Sequence, residues 1–193
     1  MTPQDSTATA ATKPDGVDEG LEALMASFQS VQLATIGDGG EAEASYAPAV
    51  ADEKGRILIF VSELASHTDN LMRHPAASAL IIEDESTCQS IFARKRLTLR
   101  CQVEEVPRHS HDWDSGIAAL EQKHGKMMRY LKTLEDFHLF RLRPLAGRLV
   151  LGFGQAYDLS GADLSEVRQA TSASGSGHRK ESHRPEPEEE AAS

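Results

Sequence analysis

Eight histidines and a run of three cations at Arg94, Lys95 and Arg96 are the residues whose types could do chemistry, given a carboxylate to orient them. A neutral imidazole can ligate a metal or carry a proton near pH 7. A guanidinium can grip a phosphate or carboxylate, and a carboxylate can hold an imidazole in one tautomer. Their neighbours sort the histidines. His138 sits inside the strand-like run "DFHLFR", where a buried imidazole satisfied by a hydrogen bond is expected. His109 and His111 flank a helix start and should be exposed, whereas His74, before Pro75, and His124, before Gly125, read as helix-end residues facing terminal carbonyls. That leaves His67 in "SELASHTDNL", and His178 and His183 in the closing stretch "SGSGHRKESHRPEPEEEAAS". Cys88 and Cys101 lack metal-site partners at close spacing and read as reduced structural thiols. Asp136, taken alone, reads as a strand-start residue completing a turn.

These groups need a frame to hold them. "VDEGLEALMASF" places Leu21, Leu24, Met25 and Phe28 on one helical face, so the fold begins near Val17. "SVQLATIG", the turn "DGG" and "EAEASYAPAV" read as a β-hairpin, and "DEKGR" leads into a third strand, "ILIFVS". "ASHTDNLMRHP" predicts a short helix stopped by Pro75, followed by the strands "AASALIIED" and "SIFARKRLTLRCQVEEV". One or two outer helices are expected between Ser110 and Leu134, broken near Gly125. "DFHLFRLRPLAGRLVLGFG" reads as two strands separated by a proline-containing turn, apolar on both faces. One face should meet the core and the other a partner protomer. "GADLSEVRQA" reads as a weak helix.

The predicted organisation is a disordered lead over 1–16, a domain over 17–168 and a flexible tail over 169–193. The tail's glycine, serine, proline and charge cannot bury enough apolar surface to offset the entropy of ordering. A net charge of −10 argues against nucleic-acid and anionic-membrane binding. No apolar run is long enough to span a bilayer, and "MTPQDSTATAATKPDGVDEG" lacks the basic start and apolar core of a signal peptide. A cytoplasmic protein is expected.

The element order resembles the split-barrel, FMN-binding fold of the pyridoxamine 5′-phosphate oxidase group, a mainly β, antiparallel Greek-key barrel with flanking helices that works as a dimer. Within that group, "LATIGDGGEAEASYAPAV", "FVSELASHTDNL", "IFARKRLTL", "DFHLFRLRP" and "GRLVLGFGQAYDL" together resemble the HugZ/HutZ-type heme-utilisation proteins. The resemblance implies a homodimer that binds heme between subunits and opens the porphyrin with oxygen and an external electron donor, releasing iron. It implies a tail histidine as axial ligand to the heme iron: His178, with His183 as the alternative. It further implies that Asp136 of the neighbouring protomer accepts that imidazole's other ring proton, and that an arginine of the "FARKRLT" strand, Arg96 or alternatively Arg94, lies at the site. Arg179 and Lys180 follow His178 and could reach the propionates. Two alternatives stay open. In the group's flavin enzymes FMN phosphate is held by cations, and by alignment His67 stands where a lysine serves there, although Arg94, Lys95 and Arg96 could still bind a phosphate. A heme carrier or storage dimer is the non-enzymatic reading.

Overall fold

The structure, a computed structural model, describes residues 14–171. The elements are α1 (Val17–Ser27), β1 (Ser30–Ile36), β2 (Ala42–Ala51), β3 (Ile57–Ser62), α2 (Ser66–Arg73), β4 (Ala76–Ile82), β5 (Arg96–Glu105), α3 (His111–His124), α4 (Met127–Leu131), β6 (Phe137–Gly152), β7 (Gln155–Ser160) and β8 (Glu166–Gln169). All pairings are antiparallel, in the order β3-β2-β1-β4-β5-β6, and β6 pairs back onto β3 to close a six-stranded barrel. β7 and β8 extend the sheet from the second half of β6. The expected mainly β, antiparallel barrel with flanking helices is what forms.

Alternation builds the barrel. On β1, Val31, Leu33 and Thr35 turn inward while Gln32, Ala34 and Ile36 stay exposed, the period-2 pattern of a strand with one wet face. Leu33, Ile59, Leu99, Phe140 and Leu142 fill the interior, and α1 closes one end with Val17, Leu24 and Phe28. Gly40, at φ 86, supplies the left-handed residue that turns β1 into β2.

Four expectations are corrected. The stretch from Phe137 to Gly152 is one strand of 16 residues and not two runs around a proline turn. Pro144 stands opposite Cys101, where the register shifts and skips Leu145, so its missing N–H falls at a bulge and the ladder continues. The outer face of β6 in its first half, at Leu139, is covered by this chain's own helix α3 where a partner was expected. Leu139, Leu58 and Phe60 pack against Trp113, Ile117 and Leu120 of α3, an apolar stripe at helical spacing. The strand expected to begin at Ser90 opens with a 3-10 turn, Ile91–Ala93, and β5 proper begins at Arg96. Finally, the expected C-terminal helix is a 3-10 turn, Ala162–Leu164, followed by β8. Asp163 and Leu164 both hold positive φ there, 56 and 57, which a regular helix does not allow.

Candidate active site

At one end of the barrel the end of β3, the end of β5 and the start of β6 converge. Asp136, half-buried, is the residue immediately before β6. The Ser62 hydroxyl donates to Asp136 Oδ2 at 2.7 Å. The Leu64 amide donates to Ser62 Oγ at 3.1 Å, and the Glu63 amide donates to the Asp136 carbonyl at 2.9 Å. Arg108 holds the approach to the aspartate, donating to the carbonyls of Lys132 (3.0 Å), Leu134 (2.7 Å) and Phe137 (2.9 Å). Its guanidinium lies 5.3 Å from the centre of the Trp113 ring, so α3 braces it in turn.

His138 lies two residues further on β6 and does not point to an empty site. Its Nδ1 meets Glu105 Oε1 at 2.7 Å and its Nε2 meets Glu63 Oε1 at 2.9 Å. Two ionised carboxylates only accept, so the arrangement is satisfied when both ring nitrogens carry hydrogen. Burial opposes the charge, but the hydrogen bonds to Glu105 and Glu63 outweigh it and hold His138 above its usual range. The expected hydrogen-bonded role for His138 is met, with a carboxylate on each side.

The basic trio sits elsewhere. Arg94 donates from Nε and Nη2 to the Glu83 carbonyl and from Nη1 to Glu85 Oε1, with its side chain only 15% exposed. It braces the β4–β5 connection. Lys95 is exposed, and half-buried Arg96 donates from Nη1 to the Arg94 carbonyl at 2.9 Å. Beside them lies an open groove of about 800 Å³ between α1, the start of β1 and the β4–β5 connection, walled by Leu24, Phe28 and Ile82 and edged by Arg94 and Lys95.

His67 is on α2, 7% exposed, with Nε2 unpartnered. Burial lowers its proton affinity, partly countered by Glu43, so it is a neutral imidazole at pH 7. His124 Nε2 meets the Ala49 carbonyl of β2 at 3.1 Å, a neighbouring strand and not the helix terminus expected for it. His74 is the C-cap of α2, whereas His109 and His111 are exposed, as expected. Burial pushes the Cys101 thiol up to about 12, as suits a structural cysteine. Among the described residues no three histidine, cysteine or acidic side chains group as a metal site.

Asp136 and Arg96 are not brought together within one chain. Arg96 opens β5, opposite Ile82 and Val150, whereas Asp136 lies beyond the other end of that strand, where Glu105 faces Phe140. Arg96 to Glu105 alone is roughly 30 Å of strand. The C-terminal tail leaves from the Arg96 end: Gln169 pairs with Tyr157, and the Ala170 amide donates to the Ala156 carbonyl at 2.7 Å. His178, Arg179 and His183 lie outside the described residues. Sequence reasoning missed Ser62, Arg108, Glu63 and Glu105, because their meaning comes from contacts such as Ser62–Asp136, 74 residues apart.

Residues 17–151 match the family model described as pyridoxamine 5′-phosphate oxidase. The chain is 42% identical, over 136 residues, to a Vibrio cholerae protein named "Heme oxygenase HutZ", covering 70% of this chain and 77% of the relative. Among solved structures it resembles ChuZ of Campylobacter jejuni, with 33% identity, a TM-score of 0.76, and coverage of 89% of this chain and 68% of that one. It also resembles a structure of Vibrio cholerae HutZ described as a heme storage protein, with 35% identity, a TM-score of 0.63, and coverage of 66% and 89%. No helix among the described residues is long and apolar enough to cross a membrane.

Proposed function

Because the chain belongs to the pyridoxamine 5′-phosphate oxidase family, in its HutZ-like branch, we propose that it is a heme-degrading oxygenase. It would open the porphyrin of its substrate with oxygen and electrons from an external donor, releasing the iron. The observation that carries this reading is the 42% identity with a relative named heme oxygenase.

The residues present fit heme better than FMN. A planar, largely apolar substrate with two carboxylates needs an apolar slot and a cation. The groove edged by Arg94 and Lys95 offers Leu24, Phe28 and Ile82 as apolar wall, with the acidic side chains Glu83, Asp84 and Glu85 on its β4–β5 side, and its volume lies in the range of small-molecule sites. An FMN phosphate needs a fixed cation, but His67 is buried and neutral while Arg94 is taken up by Glu83 and Glu85. The resemblance to the HutZ-type proteins is what gives the axial-ligand role to the tail, His178 first and His183 as the alternative; His138, held by two carboxylates, and His67, within the fold, are engaged elsewhere.

The site we propose spans two chains. From Gln169 to His178 the tail reaches at most ~32 Å. Back along β6 from Leu149, beside the tail's departure point, Asp136 is roughly 43 Å of strand away. On these lengths the tail falls short of its own chain's Asp136, whereas a neighbour's Asp136 brought to the Arg96 end does not lie beyond it. The outer barrel face supports a second copy: Gln32 with Tyr46 and Ala34 with Ala44 stand in register, and all four are exposed. In this arrangement the partner's Asp136 accepts the Nδ1 proton of the ligand imidazole, fixing its tautomer and raising electron donation from Nε2. Arg96 and Lys95, with Arg179 of the tail, would hold the propionates. Bound heme supplies the redox chemistry; these residues orient it and hold the proton.

The storage description of one HutZ structure keeps a carrier as the second reading. Titrating the full chain with hemin and then adding ascorbate in air separates the two. The oxygenase reading predicts a Soret band that forms and then decays with iron release. A Soret band that persists supports storage, and absence of any band overturns both.

A further inference from the structure

We propose that Ser62 is a positioning residue that fixes the orientation of the Asp136 carboxylate, so that one of its oxygens is offered to the ligand imidazole; this rests on the reading of Asp136 given above. A serine hydroxyl has one proton and two acceptor positions. The Leu64 amide donates to Ser62 Oγ at 3.1 Å and takes one acceptor position, and the single proton is committed to Asp136 Oδ2 at 2.7 Å. Oδ1 takes no partner among the described residues and remains the free acceptor.

The backbone that carries the hydroxyl is itself held. The Ser62 carbonyl accepts from Thr68 Oγ1 at 2.6 Å and from the Ala65 amide at 3.1 Å, tying the end of β3 to the first turn of α2. Thr68 is fully buried. Glu63, the residue between Ser62 and Leu64, is clamped by His138 and in turn donates its amide to the Asp136 carbonyl. On the other side Arg108 secures the backbone at Leu134 and Phe137. The backbone around Asp136 is thus held by Glu63 and Arg108, and among the described residues the Ser62 contact is what sets the turn of its carboxylate. A carboxylate free to turn would meet the imidazole in only part of the population, and the ligand's tautomer would be held only in that part.

The test uses the full chain loaded with hemin and reduced without oxygen, reading the iron–imidazole stretch by resonance Raman in wild type, S62A, S62T and D136N. Wild type should give one band, D136N one band at lower frequency, and S62A both bands together. S62T, which restores the hydroxyl, should return the single wild-type band, an outcome that a merely structural role for Ser62 does not predict. A wild-type spectrum for S62A beside a shifted D136N overturns the role of Ser62 and leaves that of Asp136 standing. A wild-type spectrum for D136N overturns both.

Discussion

Gly116 gives the sharpest test of how the barrel's second apolar face is covered. It lies on α3 where the helix rests on β3 and β6, and a Cβ placed there would stand 2.9 Å from Leu139 Cδ2 and 3.3 Å from Leu58 Cδ1. Leu139 and Leu58 are 1% and 3% exposed, so neither has room to withdraw. Replacing a helical glycine regains a few tenths of a kcal/mol in propensity for valine. Overpacking costs about 1–3 kcal/mol, and a β-branched side chain with one preferred rotamer belongs at the upper end. The net expectation for Gly116→Val is a loss of about 2 kcal/mol, or roughly 4–8 °C in melting temperature for a domain of this size. Thermal unfolding of the heme-free protein measures it. Gly116→Val melting with the wild type would mean that α3 does not seat on this face, and would return the face to a partner subunit.

Other outcomes follow from particular side chains. Arg94→Ala should cost about 1–3 kcal/mol by freeing the Glu83 carbonyl and Glu85, whereas Lys95→Ala should change stability by less than ~0.5 kcal/mol; paired urea titrations decide this. His138 is held above its ordinary 6.5, so its contribution is complete below that pH and fades as pH rises through the higher folded value. Melting temperature between pH 6 and 8 should therefore fall more steeply in wild type than in His138→Gln, and equal slopes would contradict the clamp. Buried His67 is shifted the other way, so stability it allows at neutral pH is lost as pH falls below 6.5. A melting series from pH 7 to 5 should show a decline that His67→Asn lessens.

Much of the frame was readable because it is local. The spacing of Leu21, Leu24, Met25 and Phe28 announced α1: Leu24 and the C-cap residue Phe28 are buried, and Leu21 and Met25 pack against the core. "DGG" announced the first hairpin, closed by Gly40. What misled was the reading of each signal without its partner strand. Pro144 looked like a turn until Cys101 stood opposite it at a bulge, and the two-faced first half of β6 looked like an interface until Trp113 and Ile117 were seen to cover it. At the site, the family resemblance carried by "DFHLFR" pointed to Asp136, which by residue type alone read as a turn residue, and nothing pointed to its surroundings. Ser62, Glu63, Glu105 and Arg108 are commonplace residues in sequence, and only the closing of β3 onto β6 gathers them around the aspartate. Arg94 shows the opposite error, a cation free to bind anions in the sequence and fully engaged in the fold.

Active-site complementation shows whether the proposed heme-degrading site is completed by two chains. D136N and H178A are each purified, dissociated, mixed in equal amounts and allowed to reassociate, then supplied with hemin and ascorbate in air. In a two-fold dimer, half of the pairs are mixed, and each mixed pair holds one site with both native residues. Two nearly inactive parents are expected, and a mixture that recovers about a quarter of wild-type turnover. A mixture no more active than its parents would contradict a site shared between two chains.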